Sequence, residues 1–254
     1  MSATGEVEND LRRRVENGEF QPGTRLPRLA DLMAEYGMKS RSAMDRALRA
    51  LVAEGLLTIR QGSGIYVRQR HVVQRDFIAG LRMEYAQAIR DEVTEGGLFE
   101  AMTGTKTEVS TSYELIDADS RVAELLKIEA GTPLLMRTFR YTINGLTHQV
   151  SRSMMSTDLA QAAGLSSPSS ERPGVGTIMQ LRRAGRTPNR AQIMLETRMP
   201  STVERDQLDV GRGTPIYEHW RVLSQDGEPL EVSTALVPGD RVAYVLNVDL
   251  TAAS

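Results

Sequence analysis

Residues 20–67 read FQPGTRLPRLADLMAEYGMKSRSAMDRALRALVAEGLLTIRQGSGIYV. Pro22-Gly23 breaks the chain, and Leu26-Pro27 sets up a helix with Pro27 at or just before its first turn, where a missing N–H costs nothing. Leu29, Leu32, Met33 and Tyr36 recur at helical spacing, and Gly37 supplies the stop. Ser40 is placed to cap a second helix, which carries Met44, Ala47, Leu48, Leu51 and Val52 on one face. Gly55 ends that helix. Residues 57–59 and 65–67 then read as strands around Gln61-Gly62-Ser63-Gly64, a tip whose glycines allow close approach to another surface. Two amphipathic helices joined by a short turn and followed by a two-stranded wing form the pattern of a winged helix-turn-helix DNA reader.

Outward from this stretch the rhythm changes twice. Upstream, residues 11–15 read as a short helix ended by Asn17-Gly18. Downstream, a polar linker leads into a helix over residues 77–93, where Phe77, Leu81, Tyr85 and Ile89 recur every four residues, a stripe that packs on its own domain or on another helix. Beyond Gly104, residues 107–116, 133–143, 147–154, 190–199, 216–223 and 230–237 read as strands, with helices at 120–126 and 158–163. Asn144-Gly145 is a strong hairpin turn, and Asp226-Gly227 joins the last two strands. Residues 164–176, rich in Gly, Ser and Pro, read as a mobile loop. Gly131-Thr132-Pro133 and Gly213-Thr214-Pro215 each open a strand that runs into a hairpin, a weak internal repeat that predicts a mixed sheet built from two similar halves.

Composition bounds the function. A chain of 254 residues has room for two domains, and its net charge of -2 does not by itself point to nucleic acid. The distribution does: of 31 Lys and Arg and 33 Asp and Glu, residues 1–70 hold 12 and 9, leaving 19 and 24 behind them. A basic front and an acidic back fit a molecule whose front alone meets phosphates. With no cysteine there is no disulfide, thiol chemistry or cysteine-ligated metal. His71, His148 and His219 lie far apart without metal-ligand spacing, so neither a metal nor a cofactor is expected. No leader-like start and no long apolar run is present, and a cytoplasmic protein without a membrane span is the expectation.

At these residues the chain resembles the GntR family of bacterial transcriptional regulators, and more closely its HutC branch. The front is similar to the family's PGxxLPS segment, recognition element and GxGxxV wing. The back is similar to the UTRA effector domain, whose chorismate-lyase-like fold contains hairpin units of the form TPLLxRxxRYxxxG and TPIYExxRVxxxDGEPLEV. The resemblance implies an α+β chain: a winged helix-turn-helix domain over residues 1–70, a linker and helix over 71–97, and an effector-binding and dimerisation domain over 98–254. It further implies a homodimeric repressor, released from a palindromic double-stranded DNA operator by an anionic or sugar-like small molecule.

Carried over by position, Ser40, Arg41 and Ser42 begin the recognition helix, where the family reads base edges. Arg41 leads, because a guanidinium can bond O6 and N7 of guanine together. Gln61 and Gly62 form the wing tip, Gly62 allowing backbone approach to the minor groove. Arg28, Lys39, Arg46, Arg49 and Arg60 are phosphate contacts or solvated surface. Ala30 stands where many relatives carry an arginine, for which Arg28 can substitute, and the turn before Ser40 is one residue longer than the common form. For the effector the matching positions are Arg137, Arg140, Ser151 and Glu231, arginines suiting a carboxylate or phosphate and Glu231 suiting hydroxyls or an amine. Ser151 stands where sugar-phosphate-binding relatives have a glutamate. In the opposing reading Arg137 and Arg221 are paired scaffold charges, and Tyr141, Tyr217 and Trp220 are core. Two other functions stay open. One is a ligand-independent autoregulator of a mobile element that uses the back domain only for dimerisation. The other is a chorismate-lyase-like enzyme, for which no nucleophile-base pair or phosphate loop speaks.

Overall fold

The computed structural model describes residues 3–60, 62–68, 72–93, 95 and 97–247. In chain order the elements are α1 (Ala3–Glu16), α2 (Leu29–Glu35), α3 (Arg41–Ala53), β1 (Leu57–Arg60), β2 (Gly64–Val67), β3 (Val73–Asp76), α4 (Phe77–Arg90), α5 (Leu98–Thr103), β4 (Glu108–Asp117), α6 (Ser120–Leu126), β5 (Pro133–Ile143), β6 (Leu146–Ser156), α7 (Thr157–Ala162), α8 (Thr177–Arg183), β7 (Arg190–Arg198), α9 (Thr202–Leu208), β8 (Ile216–Gln225), β9 (Glu228–Pro238) and β10 (Val242–Val245). They divide into two compact units, Met1–His71 with Met199–Pro215, and Val72–Arg198 with Ile216–Ser254.

In the first unit, the apolar stripe of α3 does what its spacing demands. Met44, Ala47, Leu48 and Leu51 are all buried, against Leu11 and Val7 of α1, Leu32 of α2, and Leu57 and Val67 of the strands. Truncating any one of the buried leucines to alanine costs about 2–5 kcal/mol. Ser40 caps α3, its Oγ accepting from the Ala43 N–H at 3.3 Å. The turn before it closes on Gly37, with φ of +62°, and the Met38 N–H reaching back to the Met33 carbonyl at 2.9 Å. α1 extends well upstream of the expected residues 11–15, because Val7, one turn before Leu11, is also buried. Arg12 of α1 ties down the end of α3 with two bonds to Glu54, at 3.0 and 2.7 Å.

In the second unit, six strands in the order β4-β5-β6-β9-β8-β7 form one sheet, antiparallel at every pairing, and β3 pairs with β10 in parallel as a separate two-stranded sheet. The Gly-Thr-Pro repeat is the visible trace of two halves. Each runs strand, helix, Gly-Thr-Pro and hairpin, β4-α6-β5-β6 and β7-α9-β8-β9, and the two hairpins meet at the β6-β9 pairing. The hairpin turns take left-handed φ at Asn144 and Gly145 and again at Asp226 and Gly227, as the strand twist requires. The halves differ in the fate of their helices. α6 packs on the sheet through Val122, Ala123 and Leu126, whereas α9 belongs to the first unit.

Alternation sorts the sheet into two faces. On one, Leu134, Met136, Met154, Val222, Val232 and Trp220 join α6 in an apolar core. On the other, Leu135, Met155 and Leu223 pack with Ile178, Met179 and Leu181 of α8 and Ala88 of α4. Beside that second core the register aligns a polar row, Arg137-Ser153-Ser233-Arg221, and next to it Thr111-Phe139-Ser151-Ala235-His219.

Candidate DNA interface and sheet cavity

The solvent face of α3 presents Arg41, Ser42, Asp45, Arg46 and Arg49, which span about 140° of the helix, opposite the buried stripe. Arg28, Lys39, Arg41, Arg46 and Arg49 are exposed, and none of them forms an ion pair with a described residue. The arginines of α1 are the contrast. Arg12 holds Glu8 and Glu54, Arg13 holds Asp10, and Arg14 holds Glu19 at 2.7 Å and Glu35 at 2.6 Å. Tyr36 closes that network, donating to Asp10 at 2.7 Å, and burial with the Asp10 bond pushes its phenol up to about 12. The chain neutralises its basic residues on one helix and leaves them uncommitted around another.

The wing carries Gly62 at its exposed tip with φ of +74°, in the left-handed region that glycine adopts without steric cost. Residues 23–26 run beside β2 as a third strand segment, the Leu26 N–H bonding the Ile65 carbonyl at 2.8 Å and the Val67 N–H bonding the Thr24 carbonyl at 2.9 Å. Arg25 is thereby laid across Gly64, where an added Cβ would meet its Nε at 2.7 Å. Arg60 lies in β1, and Gln61 lies outside the described residues.

In the second unit the polar rows floor a cavity of about 660 Å³, roofed by residues of α4, α5 and the irregular segment before α8. Arg137 is fully buried. Its Nη1 donates to Glu171 at 3.0 Å and Gln180 at 2.6 Å, and its Nη2 to Ser153 at 2.8 Å and Thr177 at 3.2 Å. Arg221 donates to Glu84 at 2.9 Å and Ser233 at 3.2 Å, with Glu231 at 3.5 Å. Burial works to discharge the Arg221 guanidinium, but Glu84 and Glu231 outweigh it and hold it above its ordinary range. Tyr141 stacks on Phe99 with ring centres 4.4 Å apart, and burial pushes its phenol up to about 12. His219 is pushed down to about 3, by burial first and by Arg75 second.

Sequence comparison places both units. The family of bacterial regulatory proteins designated gntR matches residues 3–67, and the UTRA domain matches residues 101–243, more than half of the chain. The chain belongs to the GntR family. It is a DNA-binding transcriptional regulator rather than an enzyme, and its pairing of a GntR domain with a UTRA domain is that of the HutC branch. The transcriptional repressor NagR of Bacillus subtilis is 25% identical over 254 residues, covering 96% of this chain and 93% of that one. The Histidine utilization repressor of Klebsiella aerogenes is 38% identical over 63 residues, 25% of this chain and 26% of that one. Among solved structures, one assigned to the GntR family superposes with a TM-score of 0.57 at 24% identity, covering 98% of this chain and 99% of that one. PhnF from Mycobacterium smegmatis superposes at 0.51 and 18% identity, covering 96% and 99%. These two show the fold.

Within this GntR regulator the sequence candidates fall into separate places. Arg28, Lys39, Ser40, Arg41, Ser42, Arg46 and Arg49 lie on α3 or just before α2 and α3, all exposed. Arg137, Ser151 and Glu231 line the cavity. Arg140 does not. It stands three residues from Arg137, an odd step that turns it to the other face of β5, where its Nη1 donates to Thr147 at 3.2 Å. Trp220 is core, buried with α6 and covered by the Arg121 guanidinium at 4.1 Å. Residues 164–176 hold a 3-10 turn at Pro168–Ser170, and Glu171 of the same segment anchors Arg137. Arg25, at a variable position of the PGxxLPS segment, and Arg75, outside the quoted motifs, carry no mark in the sequence, since each acquires its setting through strand pairing. Among the described residues no group of histidines and carboxylates forms a metal site, and no helix is long and apolar enough to cross a membrane.

Proposed function

We propose that this GntR regulator is a homodimeric cytoplasmic repressor, which holds a palindromic operator and is released when an anionic or sugar-like small molecule occupies the sheet cavity. The observation that carries this reading is the set of five exposed cations around α3, none of them ion-paired among the described residues, in a chain that pairs off the arginines of α1. In the proposed complex the N-terminal end of α3 enters the major groove, with Arg41 on a guanine edge and Ser40 and Ser42 beside it. Arg28, Lys39, Arg46 and Arg49 take phosphates, as does Arg60, and Gln61 and Gly62 of the wing approach the minor groove. In the cavity Arg137 and Ser151 shape the floor and Glu231 meets the effector.

NagR and the histidine utilization protein are named as repressors, which supports the sign of regulation. Release requires only that the effector bind the DNA-incompetent arrangement more tightly than the competent one. The test has two parts. Selection from random duplexes followed by footprinting is expected to yield a two-fold symmetric site with steep salt dependence, and sedimentation is expected to give a dimer. Protection indifferent to sequence, or a monomer on DNA, overturns the reading.

A further inference from the structure

Of the arginines that line the cavity, Arg137 and Arg221 are neutralised by the protein itself, and the buried Arg75 is not. Arg137 has Glu171 and three neutral acceptors, and Arg221 has Glu84, Glu231 and Ser233. Arg75, near the end of β3, is 9% exposed and its side chain makes one hydrogen bond among the described residues, from Nη1 to the neutral Gln149 amide oxygen. Its guanidinium lies 4.7 Å from the Phe99 ring centre and 5.9 Å from that of Tyr244, with no described carboxylate paired to it. Burial draws it below its ordinary range, as expected of a charge without a counter-ion. Across the same cavity Glu231 is 0% exposed, and neither of its carboxylate oxygens has a hydrogen-bond partner. Its nearest cation is Arg221 at 3.5 Å, which Glu84 already engages at 2.9 Å. Two carboxylates thus share one guanidinium, and that corner carries an excess negative charge. The Arg75 corner carries an excess positive one.

We propose that Arg75 and Glu231 are the two recognition poles of the cavity and that its ligand is a small acid bearing an amine, the acid group on Arg75 and the ammonium on Glu231. A buried charge without a partner is retained against its desolvation cost when a ligand supplies the partner. A guanidinium backed by an aromatic face presents its free edge to a carboxylate or phosphate. Glu231, acceptor-only when ionised, takes the donors of an ammonium. The strand arginine singled out by the family resemblance, Arg137, is then scaffold, its charge already used by Glu171. The inference rests on the sheet unit being an effector domain.

The test is thermal unfolding of the full chain at ionic strength matched with sodium chloride, on wild type, Arg75→Gln and Glu231→Gln. Without ligand, Arg75→Gln is expected to melt at or above wild type by about 2–4 °C, since it removes an uncompensated buried charge. A structural role for Arg75 predicts the reverse, and a clear drop overturns the proposal. Acetate and inorganic phosphate are the two anion arms. At least one is expected to raise the wild-type Tm, which of them does so separating a carboxylate from a phosphate, and Arg75→Gln is expected to lose most of that rise. No rise with either anion, or a rise kept in Arg75→Gln, overturns it. Amino acids of increasing length, β-alanine, 4-aminobutanoate and 6-aminohexanoate, are compared with propanoate, butanoate and hexanoate. One amine-bearing acid is expected to stabilise wild type more than its parent, an advantage lost in Glu231→Gln. Failure of every amine to exceed its parent overturns the assignment of Glu231. DNA binding of wild type and Arg75→Gln, measured without ligand, keeps the two readings apart. Wild type that binds DNA without selecting a two-fold site sinks the repressor reading alone, and ligand results are scored separately.

Discussion

Gly213 donates its backbone N–H to the carbonyl of Ala53, the last residue of α3, at 2.7 Å. It belongs to the Met199–Pro215 segment, which sequence places between β7 and β8 and which packs in the first unit. Around it, Thr214 accepts from Arg68 at 3.1 Å and lies close to Gly55. The second copy of the Gly-Thr-Pro repeat therefore satisfies the last carbonyl of α3, a use that the first copy, at Gly131, does not have.

A side chain at Gly213 is expected to damage the first unit. A Cβ there would stand 2.9 Å from Cα and O of Glu54 and 3.0 Å from the Ala53 carbonyl, all backbone atoms that cannot swing away. Gly213→Ala is expected to cost about 1–3 kcal/mol by overpacking. Gly211→Ala is the control, because its Cβ would approach the Val52 carbonyl only to 3.4 Å. Urea unfolding of both variants checks this, and equal midpoints would refute the close approach.

Arg41 and Arg49 are expected to fail differently. Arg41→Ala should relax discrimination at one base pair by about 1–3 kcal/mol. Arg49→Ala should weaken all sequences alike and lower the salt slope by about 1. Anisotropy titrations on matched and single-mismatch duplexes at several salt concentrations separate the two.

Arg137 is expected to be intolerant even of lysine. Arg137→Lys keeps the charge but cannot serve Glu171, Gln180, Ser153 and Thr177 from one fork. Arg137→Ala takes the cation from Glu171, leaving it only Tyr113 and Gln180 as donors, and is expected to cost about 3–5 kcal/mol. Denaturant unfolding of full-length variants gives the numbers.

Stability should fall with acid through His219. Its folded value, about 3, lies below the ordinary 6.5, so between those limits the unfolded chain binds a proton that the folded chain refuses. The penalty is absent above pH 6.5 and grows as pH falls toward about 3. At pH 5 it is on the order of 2 kcal/mol. His219→Phe, which keeps the ring packed near Phe77 and Tyr244, is expected to remove that part of the pH dependence. Unfolding at pH 7.5 and pH 5 on both proteins measures it, and parallel pH profiles would refute the assignment.

Local chemistry made much of this molecule legible. Ser40 as a cap, the α3 stripe, and the Asn144-Gly145 and Asp226-Gly227 turns are decided within a few residues, and they stand where their spacing puts them. α5 and α8 open at Gly97 and Gly176 rather than at a capping side chain, and two turns of periodicity alone leave them illegible in the sequence; α9 is as short, and its only local mark is the Ser201–Glu204 capping box. β3 and β10 were missed for a related reason. Four-residue strands 169 residues apart at their pairing of Val73 with Val242 have no local signature. Arg140 could have been excluded by parity alone, being an odd number of residues from Arg137 on one strand.

The sequence by itself determined that a winged helix-turn-helix precedes a sheet of paired hairpins, because caps, turns and amphipathic periods act over one to four residues. Only the tertiary structure decided which charges are spent. Arg12, Arg13 and Arg14 look as available as Arg41, Arg46 and Arg49 in the chain, and Arg137 looks more available than Arg75. Pairing between elements distant in sequence consumes Arg14 on Glu35 and Arg137 on Glu171, and leaves Arg75 on an aromatic wall with no acid among the described residues. Coulomb energy depends on distance through space and on burial, and neither quantity is written in sequence order.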